Sequence, residues 1–244
     1  LEMNFKGIKN KLRRFKSLFE EHWEAFIGRH PRYNTDYYHA EIKKMLTCSS
    51  SAGGFATYQC LSCGKGEHKV NFSCKGKACP QCGKRYARES MVKIAARLFP
   101  GVTYRQAVLT LPAQLRIPFY NHPNPSHLYS KFMGLAQACF EELIQKRFNN
   151  TGYKIATIVF IHTHGRNGHY NPHLHVILAE GALDPTHSEW KPFQHLSLGL
   201  LRLLWQKHLL ALVESEFGER QGLLNELWTQ YPEGFYAYPG NDQR

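Results

Sequence analysis

Asn171-Pro172-His173-Leu174-His175-Val176-Ile177-Leu178 sets two imidazoles two residues apart inside a run of strand-forming residues. Side chains alternate between the faces of a strand, so His173 and His175 share one face while Leu174 and Val176 take the other. The apolar face has to be buried, and two neighbouring imidazoles on the opposite face can grip one divalent cation. The run 155–164 upstream also reads as a strand, carries His162 and His164 near its end, and is separated by the turn-forming Gly165-Arg166-Asn167-Gly168. The two runs are expected to pair as an antiparallel hairpin. That pairing sets a third imidazole opposite the first two, with His162 the first choice and His164 the alternative. Three neutral ligands leave positions open on the ion, as metal-assisted chemistry requires.

Working outward, 103–111 is rich in β-branched and apolar residues and stops at Pro112, which predicts another strand. Helical spacing covers 126–147 and the Leu-rich run 193–217, and 234–238 reads as one more short strand. The expected fold is α+β, an antiparallel sheet whose central strands carry the histidines, with helices on one or both faces. On the N-terminal side, Leu12, Phe15, Leu18, Phe19, Trp23 and Phe26 recur at three- and four-residue steps and predict a helix over 10–29. A second helix is expected over 36–46 with Asp36 as its N-cap, and a third over 85–98. The implied organisation is a helical arm over 1–47, a small zinc-ribbon-like module over 48–90 and the sheet domain over 91–244.

The module is inferred from cysteine. Between Thr47 and Lys84 the composition turns to Cys, Gly, Ser and Lys, too poor in apolar residues to fold around a core unaided. Cys60-Leu-Ser-Cys63 and Cys79-Pro-Gln-Cys82, with fifteen residues between them, have the spacing of a structural zinc site in which four thiolates complete a tetrahedron. Cys74 is the alternative ligand, while Cys48 and His68 are left without an assignment. Six of the 7 cysteines fall between Cys48 and Cys82, a pattern of metal binding in a reducing compartment rather than of secreted disulfides.

Lys and Arg total 31 against 19 Asp and Glu, a net charge of +12, so the expected partner is a polyanion, nucleic acid first. Lys75, Lys77, Lys84, Arg85 and Arg88 surround the cysteines and are candidates for phosphate contacts. No run of eighteen apolar residues and no signal-peptide layout occurs, and the chain is expected to be soluble and intracellular.

Taken together, the motifs resemble a known family. The His-Leu-His triplet after Asn171-Pro172 resembles the HUH motif (histidine, bulky apolar residue, histidine) of rolling-circle initiators, relaxases and transposases. Ser73-Cys74-Lys75-Gly76-Lys77-Ala78-Cys79-Pro80-Gln81-Cys82, Leu109-Thr110-Leu111-Pro112 with Leu115-Arg116, and His162-Thr163-His164-Gly165 stand in the same order as in the two-tyrosine transposases of the insertion sequence 91 family. Trp190 and the Leu-rich helix continue the match, and the resemblance covers most of the chain.

The resemblance implies an HUH endonuclease-like fold and single-stranded DNA of element ends and target as partner. It also implies a structural Zn2+ and a catalytic Mg2+ or Mn2+ on His173, His175 and a third ligand, for which His162 fits. Action in the bacterial cytoplasm at the nucleoid follows. In this family a tyrosine attacks the scissile phosphate, leaving a 5′-phosphotyrosine and a free 3′-hydroxyl. Two departures stand out. Asn171 occupies a position where many members have His. The family's Tyr-x-x-x-Tyr pair follows a segment resembling Phe235-Tyr236-Ala237-Tyr238-Pro239-Gly240-Asn241, whereas this sequence stops at Arg244, so the nucleophile is expected beyond it. Tyr236 and Tyr238 have the wrong spacing for that role. The competing readings are a non-catalytic zinc-dependent DNA-binding fragment and, third, a zinc hydrolase that would need a carboxylate base the histidine strands lack.

Overall fold

The computed structural model describes residues 5–240 except 77, 166, 187 and 219, and only the backbone of residues 5–12. It falls into two compact units, Leu1–Leu98 and Phe99–Arg244.

The first unit contains α1 (Phe5–Arg29), α2 (Asp36–Leu46), a hairpin of β1 (Phe55–Gln59) and β2 (Glu67–Asn71), and α3 (Pro80–Ala95). Thr35, not Asp36, takes the N-cap position of α2, and Asp36 lies within the first turn, where its charge favours the positive end of the helix. The third helix starts five residues earlier than its apolar spacing predicts. Cys79 is its N-cap and Pro80 its first residue, where the missing N–H costs nothing. Sulfur supplies much of this unit's small core: Met45, Cys48, Cys79 and Cys82 are buried, with Phe15, Phe19, Ile42, Leu46 and Cys74 against them. Lys16 ties α1 to this core by donating from Nζ to the carbonyls of Leu46 and Cys48, at 2.9 and 2.8 Å. It thereby satisfies acceptors at the C-terminal end of α2.

The second unit contains β3 (Tyr104–Thr110), α4 (Ala113–Tyr120), α5 (Pro125–Phe148), β4 (Lys154–His164), β5 (Tyr170–Leu183), β6 (Trp190–Pro192), α6 (Leu198–Phe217), α7 (Gln221–Gln230) and β7 (Ala237–Tyr238). Its antiparallel sheet has the order β4-β5-β3-β7, with β6 pairing the far end of β5. The α+β class with an antiparallel sheet and flanking helices is thus the observed architecture. Helix α6 begins at Leu198 rather than 193, because Ser197 caps it by accepting the Leu200 amide. Phe193 still enters the core. Helices α4 and α7 lie where no helix was expected, and the last strand has only two residues.

Burial along β5 follows its alternation. Leu174, Val176 and Leu178 are fully buried in a core with Phe132, Phe140, Leu201 and Trp205, each such side chain stabilising the fold by about 1.5–3 kcal/mol. Trp205 donates from Nε1 to the Thr110 carbonyl at 2.8 Å and so joins α6 to the end of β3. Because the period of a strand is two, burying this face forces His173 and His175 onto the opposite one. A buried ion pair marks the other end of the sheet: Arg105 Nε donates to Glu180 Oε1 at 2.8 Å, and its Nη2 lies 2.7 Å from the same oxygen.

Candidate functional site

The histidines meet through strand register. His162 of β4 is paired with His173 of β5, whose other neighbour is Thr110 of β3, and His175 lies between Phe160 and Val108. The ligand nitrogens of His162, His173 and His175 all lie within 4.8 Å of one another, with His162 exposed and the other two half-buried. The ring centroids are 4.3–5.2 Å apart. His164 is not part of this group. The register shifts between it and His162, and it pairs with Tyr170.

Two further contacts orient the rings. His173 Nδ1 lies 2.7 Å from the Asn171 carbonyl; donating there fixes the tautomer that leaves Nε2 with a free lone pair. His175 Nδ1 lies 2.6 Å from the amide nitrogen Nε2 of Gln106 on β3, which donates to it. Gln106 had no signal in the sequence beyond its odd-even position in a strand two elements away. Burial, then the neighbouring His162 and His173, push the His175 pKa below its ordinary value. A histidine held neutral in this way is a ready metal ligand. Tyr238 also lies on this face, but Val108 separates it from His175 in the register, and the Tyr236 carbonyl is taken by Thr110.

In the first unit the cysteines are grouped differently from the expected C-x2-C pair. Cys48, Cys74, Cys79 and Cys82 converge, their sulfurs all within 4.8 Å of one another, while Cys60 and Cys63 are exposed at the tip of the β1–β2 hairpin. Hairpin pairing carries the first C-x2-C turn away, and the chain returning from β2 brings Cys74 to Cys48 at the end of α2. The Cys48–Cys82 and Cys74–Cys82 sulfur distances are both 3.6 Å, close to the roughly 3.8 Å edge of a tetrahedron with 2.3 Å zinc–sulfur bonds. Amides also point at the sulfurs: Cys74 donates to Cys48, and Gly76 to Cys74, each at 3.3 Å.

Burial opposes ionisation of Cys48, but hydrogen bonds from Cys74, Ser49 and Cys82 bring it down to about 7. Burial pushes Cys74 up to about 12 and raises Cys79 as well. Four sulfurs this close do not ionise together unless a cation joins them, and a closed, buried set of four thiolates suits Zn2+.

The charge is as unevenly divided as the chemistry. Leu1–Leu98 carries 19 of the 31 Lys and Arg but 8 of the 19 Asp and Glu, which leaves 12 and 11 for Phe99–Arg244. Lys75, Lys84, Arg85 and Arg88 are all exposed, the last three along one side of α3, and Lys77 lies outside the described residues.

Each centre lies within a stretch of the chain that matches a known family. The "Transposase zinc-binding domain" family of the insertion sequence 91 type matches residues 18–111, which include the four clustered cysteines together with Cys60 and Cys63. The "Putative transposase" family matches residues 156–224, which include all three histidines. The chain is 28% identical over 147 residues to the "Transposase for insertion sequence element IS801" of Pseudomonas savastanoi pv. phaseolicola, covering 59% of this chain and 33% of that protein. It is 26% identical over 208 residues to "Putative transposase y4qJ" of Sinorhizobium fredii, covering 82% of this chain and 50% of that protein. The chain therefore spans a third to a half of the length of these curated relatives. No solved structure matches it. Among the described residues no helix is long and apolar enough to cross a membrane. With a zinc-binding domain over its first part and a transposase domain over its second, the chain belongs to the insertion sequence 91 family of transposases.

Proposed function

We propose that the second unit is the metal-binding half of an HUH-type DNA strand-transfer site acting on single-stranded DNA. The observation that carries this reading is the convergence of His162, His173 and His175 on the sheet face away from the helices. A divalent ion, Mg2+ or Mn2+, held there would polarise a phosphate oxygen and stabilise the charge that develops during attack by a tyrosine hydroxyl. The protein's part is positional. Leu174 and Val176 anchor β5 from below, the Asn171 carbonyl and the Gln106 amide fix two of the rings, and the depressed His175 pKa keeps a lone pair available.

In the same reading, the Cys48, Cys74, Cys79 and Cys82 cluster holds a structural Zn2+, and the basic first unit supplies most of the phosphate affinity. The test is binding of a mixed-sequence single-stranded oligonucleotide at several salt concentrations, with and without Mn2+. The expected result is tighter binding with Mn2+ in the wild type and loss of that increment alone in the H173A/H175A variant. An Mn2+ increment that survives the double substitution contradicts the proposal.

The unequal division of charge favours a second reading, in which the chain binds DNA through its first unit and does not cut it. The two separate on the metal dependence of DNA binding. An Mn2+ increment that is lost in H173A/H175A belongs to the strand-transfer reading alone, and binding indifferent to Mn2+ belongs to the second.

A further inference from the structure

Helix α3 is anchored at one end. Cys79 caps it, and Cys82 in its first turn is buried in the sulfur core, but beyond Cys82 no residue of the helix is buried. Gly83, Ser90 and Ile94 are half-buried and share one side at helical spacing. The opposite side carries Gln81, Lys84, Arg85, Arg88, Met91 and Val92, again at helical spacing, and all six are exposed, Met91 and Val92 at 68% and 71%. A surface helix ordinarily turns its large apolar residues inward. Here two of them stand outward, in line with three cations.

No carboxylate shares that face. Glu89, the one acidic residue of α3, is displaced from it by about a quarter turn. Among the described residues the side chains of Lys84, Arg85 and Arg88 form no ion pair and no hydrogen bond, so their donors are left for a partner. The chemistry of the row selects that partner. Arg and Lys pair with the guanine edge, Gln pairs with the adenine edge, and apolar side chains meet the thymine methyl, all of which DNA presents in its major groove. A helix about 10–12 Å across fits a groove about 12 Å wide, whereas the deep, narrow major groove of A-form RNA does not admit it. A single strand is gripped by stacking on aromatic rings, and this face has none, since Tyr86 lies on the other side of the helix.

We propose that α3 reads duplex DNA from the major groove, with Gln81, Arg85 and Arg88 directed at base edges and Met91 and Val92 at thymine methyl groups. Cys79 and Cys82 fix the helix by its N-terminal end and leave the remainder projecting. The partner of this face is thus double-stranded, unlike the single strand proposed for the histidine centre. The inference rests on the reading in which the first unit supplies the phosphate affinity, and it is independent of the ion at the histidines.

The test exposes the whole chain to duplexes with a randomised central segment, in the presence of excess unrelated single-stranded DNA, and sequences those retained. A shared motif of several base pairs is expected. Gln81→Ala changes no charge, and Arg88→Lys keeps the charge but not the planar fork. Each should bind the selected duplex about fivefold or more weakly, and an unrelated duplex to within about twofold of the wild type, with zinc content and melting temperature unchanged. Retained duplexes that share no motif, or a motif bound equally well by both variants, overturn the proposal and leave the phosphate reading standing. Binding to neither duplex nor single strand overturns both. Sedimentation supplies a further outcome: a dimer that Val92→Glu separates while duplex affinity is unchanged assigns the face to a second copy of this chain and overturns the proposal.

Discussion

Replacing Gln106 with leucine should weaken metal binding at the histidines without unfolding the sheet. The side-chain amide of Gln106 lies 2.6 Å from His175 Nδ1. The atom placed there is the amide nitrogen, which donates to Nδ1; for His175 to offer its own Nε2 to an ion, the ring proton has to reside on Nδ1 and the amide has to turn over and present its oxygen. Leucine has a similar size but no acceptor, which frees both the tautomer and the ring orientation. Losing such an outer partner costs 10–100-fold in metal affinity, or about 1.4–2.7 kcal/mol. Stability should change by no more than about 0.5 kcal/mol, since Gln106 is exposed and its pairing with Ile177 runs through the backbone. Calorimetric titration with Mn2+, accompanied by thermal melts, reads both quantities. Gln106→Glu, whose carboxylate can still accept the Nδ1 proton, should retain wild-type affinity or exceed it. An unchanged Mn2+ affinity in Gln106→Leu would refute the reasoning, because His175 would then be oriented by something else.

Cys82→Ala should abolish zinc binding at the four-sulfur cluster and unfold the first unit, since a structural zinc contributes about 10–16 kcal/mol of apparent binding energy; calorimetry should show that transition vanish while the Phe99–Arg244 transition remains. Arg105→Met removes the guanidinium that holds the Glu180 carboxylate, which is 11% exposed, and should cost about 3–5 kcal/mol in urea unfolding, with R105M/E180L recovering most of it. The metal-free chain should lose stability as the pH falls below about 6.5, the unfolded value for histidine. His175 has a depressed folded pKa, so its contribution is fully present above 6.5 and is lost as the pH drops towards the folded value. Comparing urea midpoints at pH 7.5 and 5 should give a smaller difference for His175→Ala than for the wild type.

The histidine centre was legible because it depends on the most regular feature of a strand. Alternation places His173 and His175 on one face, and a short turn after His164 leaves few registers for β4, one of which pairs His162 with His173. Gln106 was not legible, since its contact depends on β3 lying beside β5, a long-range pairing that no local pattern encodes. The cysteine grouping illustrates the same limit. Spacing identifies a C-x2-C turn but not its partners, and here the fold brings Cys48 from α2 and Cys74 from the strand exit to Cys79 and Cys82. Helix α4 was hidden by Pro118 within it, which usually signals the end of a helix. The start of α6 depended on the Ser197 cap, a stronger boundary than the apolar run that begins at Phe193.

The most direct test of the account is to locate the ion. Crystals of the chain soaked in Mn2+ and measured for anomalous scattering should show a peak bounded by the Nε2 atoms of His173 and His175 and a ring nitrogen of His162, absent from crystals of H173A/H175A. Mn2+ bound elsewhere, with the three imidazoles bare, would contradict it.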